Sequence, residues 1–260
     1  MKYTVLTIAG SDSGCGAGVQ ADLKTIQMHD LWGVCVITNI TAQNTKEIRK
    51  IYRLPLDIIE SQFDVLFDDF NIKSIKIGML HSVEIAELIS KKIEGLKIPI
   101  VLDPIIKSST GTLLIENNFL DVLIHKLIPL TTIITPNIKE AEQLSGLNIT
   151  NQQEIEEACK KIVQYGTKAV IIKGGHLNED LPFVFDTLYY NKKFYYFKKR
   201  RVKKRFHGLG CTFSSSIACN LIKHFDLIEA VKNSEKFMEK VISNSIKITS
   251  GLIPVNQKII

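Results

Sequence analysis

Apolar and polar residues follow two different periods along this chain, and the two periods alternate. Short apolar runs typical of buried strands occur at residues 5–9, 33–40, 74–77, 98–102, 132–134 and 169–173. Segments with apolar residues at helical spacing occur at residues 19–29, 55–67, 83–93, 119–127, 139–144 and 152–165. Alternation of this kind predicts a mostly parallel sheet that is covered by helices on both faces.

The pattern changes in the last third of the chain. Residues 183–190 and 194–197 predict a hairpin whose turn is Asn191-Lys192-Lys193. Residues 212–224 and 228–248 then predict two closing helices.

Length and composition restrict the class of protein. The 260 residues are 45% apolar, which is enough for a full core, and no linker divides them, so we expect one domain over residues 1–260. No apolar run reaches the roughly 18 residues of a membrane span, and no signal peptide is visible. The odd number of cysteines, without metal-ligand spacing, makes a disulfide framework or zinc site unexpected. We therefore expect a cytoplasmic protein without membrane contact.

Much of the formal net charge of +6 lies in one basic run, residues 198–205. Such a run can attract nucleic acid or a polyphosphate. It can also be a solvated edge strand, where Lys and Arg discourage pairing with other chains. We favour the edge strand and expect no nucleic-acid partner.

Candidate chemistry begins directly after the first predicted strand, where parallel sheets bind ligands. Residues 10–18 contain four glycines, which let a ligand approach the backbone closely, but they do not form the phosphate-loop motif. Asp22 follows, and it fits an acid in the first turn of a helix, favoured by the helix dipole. Gln43, after the second strand, can match the edge of an aminopyrimidine or belong to an ordinary polar loop.

Three further strand ends carry polar residues. Asp103 can hold a metal ion or lie near a phosphate, and Lys173, before two glycines, can reach nucleotide phosphates. Asn137 and Glu140 have the spacing of a helix N-cap and its partner. Glu140 can alternatively lie near Mg²⁺, in contact through water.

The segment Gly208-Leu209-Gly210-Cys211 leads into an apolar helix. Unpaired amides at a helix N-terminus bind anions, and the helix dipole lowers the pKa of a thiol held there. We therefore expect Cys211 to be an unusually acidic thiol beside an anion site, although a cysteine can also be a small buried apolar residue.

Together these segments closely resemble the hydroxymethylpyrimidine/phosphomethylpyrimidine kinases of thiamine biosynthesis, in the ribokinase-like superfamily. The matching segments, in family order, are residues 9–25, 41–45, 76–80, 101–104, 135–137 with 140–142, 173–176 and 207–212. The resemblance implies a ribokinase-like three-layer α/β fold, with a mostly parallel central sheet and helices on both faces. It also implies a homodimer.

The activity that this resemblance implies is ATP-dependent phosphorylation with Mg²⁺. The acceptors are 4-amino-5-hydroxymethyl-2-methylpyrimidine and then its monophosphate, which becomes the diphosphate. A pyridoxine or pyridoxal kinase is the alternative, because relatives with similar loops phosphorylate vitamin B6 compounds. A pyrimidine-binding protein without enzymatic activity is a third possibility.

The resemblance also implies roles for individual residues. Cys211 would accept the substrate hydroxyl proton while the amides of Gly208, Leu209 and Gly210 stabilise the transferring phosphoryl group. The substrate-binding residues would be Gln43, Gly10, Met79 and Asp22. The nucleotide-binding residues would be Lys173, Asp103 and Asn137, and Glu140 would serve the metal ion.

Two positions depart from the family pattern. Cys15 stands where the family commonly has glycine, and Leu209 stands where it commonly has threonine. The anion site uses backbone amides, so Leu209 need not destroy it, but a hydroxyl group near the nucleotide is lost.

Overall fold

Strands and helices alternate along the part of the chain that the computed structural model describes, residues 3–107, 111–112, 114–176, 181–224 and 226–258. The strands are β1 (Thr4–Asp12), β2 (Trp32–Gln43), β3 (Ile48–Arg53), β4 (Ile72–Ile77), β5 (Ile100–Leu102), β6 (Ile133–Ile134), β7 (Ala169–Ile172), β8 (Phe183–Tyr190), β9 (Lys193–Arg200), β10 (Phe206–His207) and β11 (Ile253–Pro254). The helices are α1 (Gly18–Met28), α2 (Leu56–Asp69), α3 (Val83–Ile93), α4 (Phe119–Val122), α5 (Ile138–Ser145), α6 (Gln152–Val163), α7 (Leu209–His224) and α8 (Leu227–Ser243).

One nine-stranded sheet organises these elements, in the order β3-β2-β1-β4-β5-β6-β7-β8-β9. The strands from β2 to β7 in that order run parallel, and β3, β8 and β9 add antiparallel pairs at the two edges. β10 and β11 form a separate parallel pair. The carboxyl ends of the parallel strands therefore meet at one edge of the sheet, where ligands bind in such folds.

Both faces of the sheet are buried, as the continuous apolar strands predict. In β1, Leu6 and Ile8 are fully buried in one core together with Phe63 of α2. Val5, on the opposite face, is buried in a second core with Ile217 of α7. Successive residues of a strand face opposite sides, so a strand between two helical layers needs apolar residues at every position. The mostly parallel sheet with helices on both faces is confirmed.

Two elements differ from the sequence-based expectation. The closing helix ends at Ser243 and not near residue 248, because Ile246 and Ile248 are 68% and 69% exposed and do not continue its buried face. The edge strand Ile48–Arg53 was not predicted, since its residues are only partly buried or exposed and show no apolar run.

The helix predicted at residues 119–127 is regular only in its first turn. The α-helix Phe119–Val122 continues as a π-helical turn, Leu123–Leu127, and then as the 3₁₀ turn Ile128–Leu130. Pro129 lies in that last turn, where it lacks an N–H donor and its ring disfavours a regular α-helical turn before it.

The basic run is an edge strand in its first part. β9 is the last strand of the sheet, and Lys198 and Arg200 on it are exposed, as an edge strand requires. Lys199 departs from this interpretation, because its ammonium group contacts two buried carboxylates. Among the described helices, none is long and apolar enough to cross a membrane.

Cys15 has a backbone conformation that suits glycine. Its φ is 55°, in the left-handed region, and its amide donates to the carbonyl of Asp12 at 2.9 Å to close a turn. A residue with a Cβ atom loses about 1–2 kcal/mol in this region.

We expect Cys15→Gly to raise the free energy of unfolding by about 0.5–1 kcal/mol, because glycine relieves this strain and loses part of the gain to backbone entropy. Urea denaturation measures the change. Cys15→Ala is the matched control and should give no increase, because alanine keeps the Cβ atom. Equal stabilisation by both variants would show that the thiol, and not the backbone, is responsible.

Candidate active site

The two glycine-rich segments of the sequence contact each other. Gly208 has a φ of 92°, and a Cβ atom there would lie 1.9 Å from the carbonyl oxygen of Gly16. Only glycine fits such a contact. The amide of Thr212 donates to the carbonyl of Gly208 at 3.0 Å, so Gly208 is the residue at which helix α7 starts. The amides of the next three residues have no acceptor within the helix and can face an anion.

An ion pair lies directly beside this helix start. Lys173 Nζ is 3.1 Å from Oδ1 of Asp103, and the hydroxyl of Thr135 donates to the same oxygen at 3.1 Å. A Cβ atom on Gly210 would lie 3.1 Å from Oδ2 of Asp103 and 3.5 Å from Lys173 Nζ. The ends of β5, β6 and β7 thus bring a carboxylate and an ammonium group to the first turn of α7.

Lys173 stays a cation although it is largely buried. Burial lowers its pKa, but the carboxylates of Asp103 and Glu140 outweigh this and raise the pKa above its usual value. A fixed positive charge beside unpaired amides is suited to phosphate oxygens.

Asn137 and Glu140 form the capping box that their spacing predicts. The Asn137 side chain accepts from the Glu140 amide at 3.0 Å, and Glu140 Oε2 accepts from the Asn137 amide at 2.8 Å. Burial raises the pKa of Glu140 to about 7, although Lys173 opposes the shift. Glu140 is thus both a structural cap and a partner of the Asp103–Lys173 pair.

The fit of these residues to Mg²⁺ depends on the nucleotide. Within the described residues, no group of three or more His, Cys, Asp or Glu side chains is arranged to hold a metal ion. Asp103 and Glu140 together provide carboxylate oxygens near Lys173. Mg²⁺ commonly takes one or two carboxylates and completes its shell with substrate phosphates and water, so this pair suits Mg²⁺ that arrives with a nucleotide.

The expectation of an acidic thiol at Cys211 is wrong for this structure. The side chain is buried, and burial raises the pKa of the Cys211 thiol to about 12. Lys76 and the amide of Gly18 lower this pKa, while Asp22 and Asp103 raise it. Desolvation therefore raises the pKa of Cys211 by more than the helix N-terminus lowers it, because burial removes the water that would stabilise the charged thiolate.

Asp22 also differs from the expectation. It is not in the first turn of α1, which begins at Gly18, and its side chain is fully buried. Lys76 Nζ lies 3.0 and 2.8 Å from its two oxygens, and the hydroxyls of Thr7 and Ser215 donate to them at 2.6 and 2.8 Å. Asp22 is therefore the counter-ion of Lys76 behind Cys211, and a direct contact with substrate is not part of this geometry.

Lys76 is a residue that sequence reasoning missed. It is fully buried at the end of β4, where a Cβ atom on Gly78 would lie 2.7 Å from its Nζ. The signal was available, because a lysine inside the apolar strand of residues 74–77 needs a buried partner.

Gln43 lies at a second polar cluster next to the helix start. Its Nε2 is 3.2 Å from His207 Nε2, which is 2.9 Å from Oδ2 of Asp12. The hydroxyl of Thr41 donates to the amide oxygen of Gln43 at 3.0 Å. Asp12 is the stronger acceptor, so the single hydrogen on His207 Nε2 is directed to its carboxylate. A ring nitrogen that carries a hydrogen cannot also accept one from the NH₂ group of Gln43.

Asp12 is another residue that sequence reasoning missed, and its side chain fixes the glycine-rich loop. Its carboxylate accepts from the amides of Gly14, Gly16 and Ala17 at 2.8, 3.1 and 2.9 Å. Burial would raise the pKa of Asp12, but the hydrogen bonds from His207 and from the amides of Gly14 and Ala17 lower it below its usual value. An Asp two residues before a glycine commonly closes such a turn, and this was the available signal.

Gly10 and Met79 lie at the ends of neighbouring strands. A Cβ atom on Gly10 would lie 2.3 Å from the side-chain oxygen of Asn39, so any side chain there would displace Asn39. Met79 follows β4, is 8% exposed, and accepts from the Thr38 hydroxyl through its carbonyl at 2.8 Å. Their place at the carboxyl edge of the sheet is consistent with a ligand pocket.

The two departures from the family pattern have different surroundings. The Leu209 side chain packs against the second core, so it faces apolar residues. Cys15 is exposed and is fixed through its carbonyl oxygen, which accepts from Lys24 Nζ at 2.8 Å.

Comparison with solved structures gives the class of protein that the fold defines. The chain aligns with Bacillus subtilis pyridoxal kinase, in an ADP complex, with a TM-score of 0.90 and 32% identity over 100% of this chain and 98% of that one. It aligns with phosphomethylpyrimidine kinase from Clostridium difficile 630 with a TM-score of 0.82 and 38% identity over 93% of this chain and 100% of that one. The protein is a ribokinase-like phosphotransferase.

Sequence comparison gives the family. The family described as phosphomethylpyrimidine kinase matches residues 12–256, and the chain belongs to it. The hydroxymethylpyrimidine/phosphomethylpyrimidine kinase of Haemophilus influenzae is 41% identical over 97% of this chain and 95% of that protein. The protein of the same name from Aquifex aeolicus is 38% identical over 95% of this chain and 96% of that protein.

We expect Asp12→Asn to lower the free energy of unfolding by about 1–3 kcal/mol at pH 7, because charge-assisted hydrogen bonds are lost. The lowered pKa means that the wild-type carboxylate stabilises the fold above about pH 4 and loses this effect as the pH falls further. The difference between variant and wild type should therefore shrink in acid, as urea denaturation across pH will show. Asp68→Asn, on the exposed face of α2, is the control. A difference that stays constant with pH would contradict the role of the charged Asp12 carboxylate in these hydrogen bonds.

The raised pKa of Cys211 predicts how it reacts with iodoacetamide. Only the thiolate reacts, so its alkylation rate should increase about tenfold per pH unit from about pH 8 to pH 10. Peptide mass spectrometry measures the rate at each cysteine separately. A rate that reaches a plateau below pH 8 would mean that the thiol is acidic after all.

Proposed function

We propose that this chain transfers a phosphoryl group from ATP to the hydroxymethyl group of 4-amino-5-hydroxymethyl-2-methylpyrimidine, and then to the monophosphate, in thiamine biosynthesis. The observation that carries this proposal is membership of the phosphomethylpyrimidine kinase family over residues 12–256. The ion pair of Lys173 and Asp103 beside the first turn of α7 supports it, because phosphoryl transfer relies on positioned charges.

The nucleotide phosphates would bind where α7 begins. The amides of Leu209, Gly210 and Cys211 would receive the transferring group, since they have no acceptor within the helix. Lys173 would neutralise phosphate charge from the other side. Asp103 and Glu140 would hold Mg²⁺, which supplies further neutralisation of the phosphates when it is bound.

Cys211 would accept the proton of the substrate hydroxyl. Its thiol is protonated at neutral pH in the described structure, so a base role requires that the thiolate form in the complex. Lys76 and the amide of Gly18 are the groups that favour the thiolate, because both lower the pKa of Cys211.

Gln43 would bind the pyrimidine ring, with Gly10 and Met79 at the pocket wall. An amide can give and accept hydrogen bonds at the same time, as an aminopyrimidine edge requires. The contact with His207 is a poor hydrogen bond for the NH₂ group of Gln43, so this group can turn towards a ligand at little cost.

A pyridoxal kinase is the second candidate, on a specific observation. Solved pyridoxal kinases of Bacillus subtilis and Staphylococcus aureus both superpose with TM-scores of 0.90, one of the latter in complex with AMP-PCP and pyridoxal. Both candidate acceptors carry a hydroxymethyl group on an aromatic ring. The identities, 32% to these and 38% to the Clostridium difficile enzyme, favour the pyrimidine.

Three further properties belong to the same proposal. We infer that the enzyme is a homodimer and uses Mg²⁺, as the resemblance to the family implies. A cytoplasmic location also stays a prediction; the five cysteines are all free thiols, which suits a reducing compartment.

Steady-state kinetics with ATP and Mg²⁺ test the proposal directly. We expect a higher kcat/KM for the hydroxymethylpyrimidine and its monophosphate than for pyridoxal. A higher value for pyridoxal would favour the second candidate. If none of the three compounds is phosphorylated, the remaining candidate is a pyrimidine-binding protein without enzymatic activity.

Cys211→Ala tests the base role. We expect kcat to fall about 10²–10⁴-fold, the usual contribution of a general base, while the Kd for the pyrimidine changes less than about twofold. Cys219→Ala, a buried cysteine farther along the same helix, is the matched control and should keep its kcat. Equal losses in kcat and in pyrimidine binding at Cys211 would argue against the base role.

A further inference from the structure

A second group of buried titratable side chains lies where β8 and β9 meet α8. Asp186 of β8 and Glu235 of α8 are 2% and 5% exposed, and Lys199 of β9 lies between them. Lys199 Nζ is 2.6 Å from Oδ2 of Asp186 and 2.9 Å from Oε2 of Glu235. Burying an ammonium group with two carboxyl groups is costly unless the geometry is specific, so this cluster needs an explanation.

The cluster reaches the segment that carries Lys173. The second oxygen of Asp186 accepts from the amide of Gly174 at 3.0 Å. A Cβ atom on Gly174 would lie 2.0 Å from the carbonyl oxygen of Phe185, so the backbone of Gly174 lies directly against β8. Asp186 therefore determines where the chain turns immediately after Lys173.

A second residue of the basic run contacts the next peptide group. Arg201 donates from Nη1 to the carbonyl of Gly175 at 2.7 Å and from Nε to the carbonyl of Leu181 at 2.8 Å. Lys199 and Arg201, two positions apart, thus restrain successive residues of one segment, Lys199 through Asp186 and Arg201 directly.

Lys199 also contacts the helix that starts at the anion site. Its Nζ lies 5.7 Å from the ring centroid of Phe213, in the second turn of α7. Burial and the neighbouring Asp186 raise the pKa of Glu235 to about 8, although Lys199 opposes the shift, so the charged pair of this cluster at neutral pH is Lys199 with Asp186.

We propose that Lys199 and Arg201 of the basic run are positioning residues for ATP, because they hold the segment from Lys173 to Gly175 at the place where it meets the nucleotide phosphates. This inference rests on the proposed nucleotide role of Lys173. It explains the contacts of Lys199 and Arg201, which neither an edge strand nor a nucleic-acid surface requires. Lys199 and Arg201 act through Lys173 and the two glycines, and neither is proposed to touch the acceptor.

Binding of the non-hydrolysable analogue AMP-PCP tests the inference without turnover. We expect Lys199→Met and Arg201→Gln each to raise the Kd for AMP-PCP at least about tenfold, since loss of one well-placed hydrogen bond between charged groups weakens binding by about tenfold or more. The Kd for the pyrimidine should change less than about twofold. The matched controls are Lys198→Met and Arg200→Gln, the exposed neighbours on the same strand, which should bind AMP-PCP as the wild type does.

Folding must be separated from positioning. Lys199→Met leaves the buried Asp186 carboxylate without its cation, and it can fail to fold for that reason. The double variant Lys199→Met/Glu235→Gln also replaces the neighbouring carboxyl group, which cannot then add a second negative charge, and Arg201→Gln leaves the buried cluster intact. Unchanged AMP-PCP binding in the folded double variant and in Arg201→Gln, or equal weakening of AMP-PCP and pyrimidine binding, would overturn the inference.

The same measurements distinguish this inference from the proposed function. A wild-type protein that binds AMP-PCP but phosphorylates neither the pyrimidine nor pyridoxal would overturn the proposed acceptors alone. A wild-type protein that does not bind AMP-PCP would overturn both.

Discussion

The ion pair between Lys76 and Asp22 connects four elements around the reacting end of the site. Lys76 comes from β4, Asp22 from α1, and the hydroxyls that complete the pair come from Thr7 of β1 and Ser215 of α7. All the groups are buried, so loss of one partner would leave a charge without water, at a cost of about 3–5 kcal/mol. Through Ser215, this pair fixes the second turn of α7 against the sheet, one turn after Cys211. The same ammonium group is the main cation that favours a thiolate at Cys211.

The sequence predicts those parts of the architecture that depend on neighbouring residues alone. Alternating periods determine the layers, because strands buried on both faces are apolar throughout. The capping box of Asn137 and Glu140 was also predictable, since it depends on two residues three positions apart. The edge strand at residues 48–53 could not be found in this way, because an exposed edge needs no apolar pattern.

Properties that depend on distant residues were harder to predict. A helix N-terminus lowers the pKa of a thiol, but the sequence does not show that the Cys211 side chain is desolvated with two carboxylates nearby. Asp22 looked like a helix-terminal acid because its partner, Lys76, is far away in the chain. The contact of Asp12 with His207 has the same origin, since the two glycine-rich segments meet only in the folded chain. In each case the missing information was a long-range contact and not a residue type.

The short pairing of β10 with β11 has a consequence for how the protein is made. The amide of Val255 donates to the carbonyl of His207, and the amide of Leu252 donates to that of Thr45. Gln257 is buried and donates to the hydroxyl of Thr212 at 3.1 Å, at the start of α7. The segment that borders both the glycine-rich helix start and the loop of Gln43 is therefore synthesised after every candidate catalytic residue. The catalytic end of the domain can therefore close only when translation has passed residue 257.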